Sequence, residues 1–180
     1  MSSIDLVILG IVLEKPQSAY DIQKDVEYHN LERWTKISIP SVYKKVIQLK
    51  TKGYLSSNTI KGPKKTDKII YSITESGKLY FEQIMLTIVD QDVPILFDFN
   101  VVITNLNKIE KSKAIVLIKR LKQSVINSSV KNEKYSQQFS DIPLVGRTIF
   151  EQQKLLYNSI LDWINEFEEA FYKEEKHELQ

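Results

Sequence analysis

The sequence predicts a mostly helical fold with one small β-hairpin, followed by a second half that is helical throughout. Three observations carry this expectation. Apolar residues recur at helical spacing along most of the chain, strand-favouring composition is confined to residues 54–73, and a turn-forming run divides that short stretch in two. An apolar share of 42% over 180 residues is enough for a packed core.

Composition then removes several classes of function. The chain has no cysteine, which excludes disulfide frameworks, cysteine-based zinc sites and thiol catalysis, and fits a reducing compartment. The first apolar run, Leu6 to Leu13, is far shorter than the roughly 20 residues that span a bilayer. No basic stretch precedes it and Asp5 stands at its edge, so neither a secretory signal nor a membrane anchor is expected. The expected location is the cytoplasm.

Residues 4–13 are apolar nearly all round, as in a helix buried on several sides, and Lys15-Pro16 stops it. Ser18 is placed to cap a second helix reaching about residue 30, with Ala19, Ile22 and Val26 on one stripe. A connector leads to a third helix from Ser38 or Ser41 to Lys52, stopped by Gly53. Tyr54 to Ile60 then favours a strand, Lys61-Gly62-Pro63-Lys64-Lys65 a turn, and Lys68 to Ile73 a second strand with Ile69, Tyr71 and Ile73 on one face. Thr74 caps a helix to about Asp90. Three helices, a hairpin and a helix is the element order of a winged helix-turn-helix, here over residues 1–92.

Residues 93–180 read as a helical domain. Asn107 to Glu110 has the spacing of a capping box opening a long helix to about Phe139. Ile118, Leu121, Val125, Tyr135 and Phe139 form its seam, interrupted by Ser128 and Asn132. After a break over residues 140–146, the last helix carries Ile149, Leu156, Ile160, Trp163, Phe167 and Ala170, widened by Leu161, Ile164 and Phe171. One small winged domain cannot cover two such faces, so pairing of these helices with a second copy of the chain is expected; an intramolecular hairpin packed on the first helix is the rival arrangement.

Charge is concentrated. Residues 36–68 hold nine lysines against the single acid Asp67, a net +8, while residues 162–178 hold seven acids against two lysines, a net −5. The positive block suits a polyanion, although a solvated lysine-rich face has the same composition. Within the third helix, Val42, Val46 and Leu49 fall within about 60° and face a core, while Ser41, Lys44, Lys45, Gln48 and Lys52 fill an arc of about 100° on another side. Hydroxyl, amide and ammonium groups on one arc suit the major groove, where base edges and phosphates accept hydrogen bonds. Around the turn, Lys61, Lys64, Lys65 and Lys68 are placed for phosphates, and Lys36 is a similar backbone candidate.

Four stretches run in unbroken order over about residues 4–90: Leu6-Val-Ile-Leu-Gly10, Ser18-Ala-Tyr-Asp-Ile22, Ser41-Val-Tyr-Lys-Lys-Val-Ile-Gln-Leu-Lys-Thr-Lys-Gly-Tyr-Leu55 and Ile70-Tyr-Ser-Ile-Thr-Glu-Ser-Gly77. In these motifs the N-terminal half resembles the PadR family of bacterial transcriptional regulators. Ala19 stands where the family customarily has glycine, and Val42 and Val46 where isoleucine and leucine are commoner. Leu155 to Phe171, with Trp163, resembles the last helix of the longer-tailed branch that includes phenolic-acid-responsive repressors. The resemblance implies a dimerisation domain and a repressor on double-stranded DNA, and the closed twofold symmetry of a homodimer in turn predicts an inverted-repeat operator. It also implies backbone contacts by Tyr43 and Tyr20, for which core packing is the alternative, and suggests a small aromatic effector. Trp163 and Phe167 are the candidate effector residues, with plain core packing as the alternative.

No cofactor, metal site or enzyme activity is expected. His29 and His177 are isolated, and the five glycines form no phosphate-cradling loop. Two rival functions share the element order: a winged protein-assembly module, and an architectural DNA-binding protein without a defined operator.

Overall fold

The computed structural model describes residues 3–29, 31, 35, 37–61 and 67–174, and the chain divides into two compact units, Met1–Pro94 and Ile95–Gln180.

The first unit assembles around helix α1 (Ser3–Glu14), whose Ile4, Ile8, Leu9 and Val12 are buried. Lys15-Pro16 ends it, and Gln17 then pairs by its backbone with Tyr71, a bridge that local sequence did not foretell. Helix α2 (Ala19–Tyr28) opens on Ser18, whose Oγ accepts from the Asp21 amide at 3.2 Å and donates to Asp21 Oδ2 at 2.8 Å. A short 3-10 turn (Ile39–Ser41) leads into α3 (Val42–Thr51). Gly53, with φ of 79°, closes α3 in the left-handed conformation that favours glycine.

Strands β1 (Leu55–Lys61) and β2 (Asp67–Ile73) pair antiparallel, in a register that sets Leu55 opposite Ile73 and Lys61 opposite Asp67. Burial is confined to the hairpin's base: Leu55 and Tyr71 are buried, but Ile69, expected on the same inward face, is exposed because the hairpin projects beyond the core. Helix α4 (Glu75–Val89) starts at Thr74, whose Oγ1 accepts from the Gly77 amide at 3.1 Å, and it packs on α1 through Ile84. Each fully buried aliphatic side chain in this core contributes roughly 1.5–3 kcal/mol.

In the second unit a short helix α5 (Phe99–Ile103) and a 3-10 turn (Leu106–Lys108) precede α6 (Lys111–Gln138) and α7 (Leu144–Lys173). The expected capping box does not form. Asn107 lies inside the 3-10 turn, α6 begins after Glu110, and no side chain caps it, because buried Leu106 holds this segment in its own turn.

Helices α6 and α7 run antiparallel, tied by Lys111 Nζ to the carbonyls of Tyr172 and Glu174, Lys122 to Glu168, and Asn132 Nδ2 to the Phe150 carbonyl at 2.9 Å. Asn132, an interruption of the seam in sequence, is therefore a cross-link between the helices. Ala114, Ile118 and Val125 of α6 meet Ile164 of α7, which is fully enclosed. The centre of the α7 stripe is thus Ile164, at the expected margin, while Trp163 and Leu156 lie on its open side.

Candidate nucleic-acid interface

Helix α3 presents two contrasting faces. Val42, Val46 and Leu49 are buried, which fixes the helix against α1 and α2 and turns the opposite side outward. That outward side holds Lys44 and Gln48, one turn apart and both exposed, flanked by Tyr43 (55% exposed) and Ile47. Ser41 precedes the helix and its Oγ donates to the Ser38 carbonyl at 2.6 Å. Ile47 is a surface residue that reading the helix for polar groups passed over. Its signal was available, since at 100° per residue it lies beside Lys44 and far from the buried stripe. Its apolar tip is suited to a thymine methyl group.

Lys45 is placed differently from its neighbours. It borders the buried stripe, and its Nζ lies 3.2 Å from Oδ1 of Asp5 in α1. Lys52, the helix's C-cap, is exposed.

Tyr20, in the first turn of α2, is 67% exposed, so it is not a core residue. Lys24 Nζ lies 5.8 Å from its ring centre. In β2, burial and after it the Tyr43 phenol push Tyr71 above its usual value. The wing strand also reaches α2, because Lys68 Nζ is 2.8 Å from Asp21 Oδ2. The hydrogen bonds from Lys68 and then Ser18 hold that carboxyl below its usual range. Lys61 is exposed at the end of β1. Lys36, Lys64 and Lys65, and His177, lie outside the described residues.

The second unit contains an aromatic ladder. Phe97 stacks on Phe99 (4.9 Å between ring centres), Phe99 on Trp163 (6.0 Å) and Trp163 on Phe167 (5.7 Å). Beside it opens a cavity of about 320 Å³ lined by Ile95, Phe97, Phe99, Leu156, Ile160 and Trp163, with Asn100 and Ser159 as its polar groups. Trp163 lines this space, whereas Phe167 backs the indole and does not reach it. Among the described residues there is no cluster of metal-ligating side chains, and no helix is long and apolar enough to cross a membrane.

No protein-family model and no curated protein matches the sequence. Likeness appears in three dimensions. PadR of Bacillus subtilis in complex with operator DNA superposes with a TM-score of 0.76 at 16% identity, over 94% of this chain and 99% of that one. The same protein in complex with p-coumaric acid gives 0.76 at 15% identity, over 96% and 100%. A PadR-like transcriptional regulator of Bacillus cereus gives 0.69 at 22% identity, over 96% and 99%. The chain therefore has the fold of the PadR transcriptional regulators along nearly its whole length.

Proposed function

We propose that this chain is a DNA-binding transcriptional regulator of the PadR type rather than an enzyme. The observation that carries the reading is α3, anchored by Val42, Val46 and Leu49 and presenting Lys44 and Gln48 outward, in a fold that in its Bacillus subtilis counterpart is seen on operator DNA. In this reading Ser41, Lys44 and Gln48 enter the major groove. Tyr20, Tyr43, Lys36 and the wing lysines 61, 64, 65 and 68 contact phosphates. Lysines act as point charges, so the wing contributes affinity and little discrimination.

The finer statements rest on further features. Val116, Val130, Leu144, Val145 and Leu155 leave apolar surface exposed on the long helices, which supports a homodimer and hence an inverted-repeat operator with half-sites about one helical turn apart. The cavity beside Trp163 supports a small aromatic effector that releases DNA, the arrangement of a repressor working in the cytoplasm.

Selection of duplexes from a random pool by the purified chain tests this. A twofold-symmetric site protected by two chains is expected, with Lys44→Ala and Gln48→Ala changing the ranking of related duplexes. A chain that binds no short duplex is an assembly module, and one that binds selected and scrambled duplexes equally is architectural. A monomer at micromolar concentration sinks the symmetric operator. In a Trp34→Phe variant, Trp163 is the remaining tryptophan. Emission unmoved by p-coumaric acid removes that acid as the effector.

A further inference from the structure

Among the described residues, Asp5 is the one charged residue that is buried, at 4% exposure. It lies in the first turn of α1 between Ile4 and the fully enclosed Ile8 and Leu9. Its Oδ1 receives no hydrogen bond, and Lys45 Nζ approaches it at 3.2 Å from outside hydrogen-bonding geometry. Tyr80 of α4 faces the same carboxylate: burial, and after it the Asp5 charge, push that phenol above its usual value. One carboxylate thus gathers α1, α3 and α4.

A carboxylate shut off from water needs a countercharge or hydrogen-bond donors from the protein itself. Lys45 borders the buried stripe of α3 and is, among the described residues, the cation paired with it. The Lys68–Asp21 pair differs. Its side chains are 47% and 39% exposed, so a phosphate can displace the carboxylate at little cost. Lys45, with 29% of its side chain exposed against 5% for Asp5, cannot leave without stranding a buried charge.

We propose that Asp5 is a positioning residue that withdraws Lys45 from the DNA and leaves the contacts of this helix to Lys44, Gln48 and their neighbours. An uncompensated ammonium on this face would add attraction to every duplex, because phosphates are the same at every site. Neutralising it inside the protein lowers sequence-independent binding while α1 and α4 hold the angle of α3. This inference rests on the reading of α3 as the recognition helix.

The test is a salt titration of the full chain on its selected duplex and on a scrambled one. Lys44→Ala should make the log–log slope shallower by about 2 units, the loss of one groove-facing cation from each of the two chains. Asp5→Asn frees the Lys45 ammonium. In a dimer carrying two copies it should steepen the slope on both duplexes by about 2 units, roughly a further tenfold loss of binding between about 50 and about 200 mM salt, while the ratio between the duplexes stays nearly the same. The double variant Asp5→Asn/Lys45→Met removes both charges together, so it avoids an unpaired buried ion and should return the parent's slope. A double variant shallower by about 2 units makes Lys45 an ordinary phosphate contact and overturns the inference. So does an Asp5→Asn slope equal to the parent's. In either case a normal response of Lys44→Ala leaves the DNA-binding reading intact, whereas failure of the parent to bind any duplex ends both.

Discussion

Replacing Gly77 with alanine tests how α4 is joined to the hairpin. Thr74 and Ser76 at the start of α4 close over the end of α3. Thr74 Oγ1 donates to the Gly53 carbonyl at 2.7 Å with the Tyr54 carbonyl at 3.1 Å, the Thr74 amide donates to that same Tyr54 carbonyl at 3.1 Å, and Ser76 Oγ donates to Gly53 at 3.0 Å. Gly77 sits directly beneath. A Cβ there would overlap the Tyr54 carbonyl oxygen and stand 2.8 Å from Ile73 Cγ1. The carbonyl cannot retreat without giving up the Thr74 amide, so the clash is relieved by prying α4 from the chain beneath it.

Alanine gains at most about 1 kcal/mol in helix propensity. Against this stand roughly 1–3 kcal/mol for overpacking and about 1 kcal/mol for a disturbed Thr74 cap. The net loss is about 2 kcal/mol, which for a unit of this size lowers the melting temperature by roughly 8–16 °C. Gly10→Ala is the contrast. Its Cβ would meet nothing closer than a Phe81 ring atom at 3.4 Å, ordinary contact, so the variant should melt at or above the parent. Thermal unfolding followed by circular dichroism compares the three proteins. A Gly77→Ala chain that melts with the parent would show that α4 and the carbonyl beneath it are not locked together, and the reasoning fails.

Two further outcomes follow from other parts of the structure. Ile164→Ala should cost the second unit about 2–5 kcal/mol, because the side chain is fully enclosed between α6 and α7, and denaturant titration checks it; a loss below 1 kcal/mol would move the centre of that core elsewhere. Asp21 has its carboxyl held low by Lys68 and Ser18, so its contribution to stability is present at neutral pH and disappears as pH falls through its depressed folded value. Asp21→Asn should therefore be less stable than the parent near pH 7, by no more than about 1 kcal/mol at this exposed site, and equal to it in strong acid. A deficit that grows on acidification contradicts the assignment.

Much of the first unit was legible because its signals are local. Ser18 and Thr74 satisfy amides within three residues of themselves, and Gly53 adopts a conformation that its own lack of a Cβ permits. The buried stripe of α3 follows from helical spacing alone, which is why Val42, Val46 and Leu49 and the outward Lys44 and Gln48 could be assigned from sequence. In the second unit the same reasoning found two long helices but missed α5, a segment of five residues too short to carry a period. It also read a capping box at residues 107–110 where a 3-10 turn forms, since local capping there yields to the burial of Leu106.

In the first unit the amino-acid sequence by itself determined the order of the main helices and strands, the caps of α2 and α4 and the face of α3 turned to the core, because these depend on free energies acting over about one helical turn. Tertiary structure alone decided which residues those faces meet. Lys45 and Lys44 are neighbours of the same type, and no local rule separates them. Only the arrival of Asp5, forty positions earlier in the chain, makes one a partner of a buried carboxylate and leaves the other free in water. The same holds on α7, where Ile164 and Trp163 are adjacent and both apolar. The packing of α6 encloses the isoleucine and leaves the indole on the wall of a cavity, a choice made by contacts between helices that share no sequence neighbourhood.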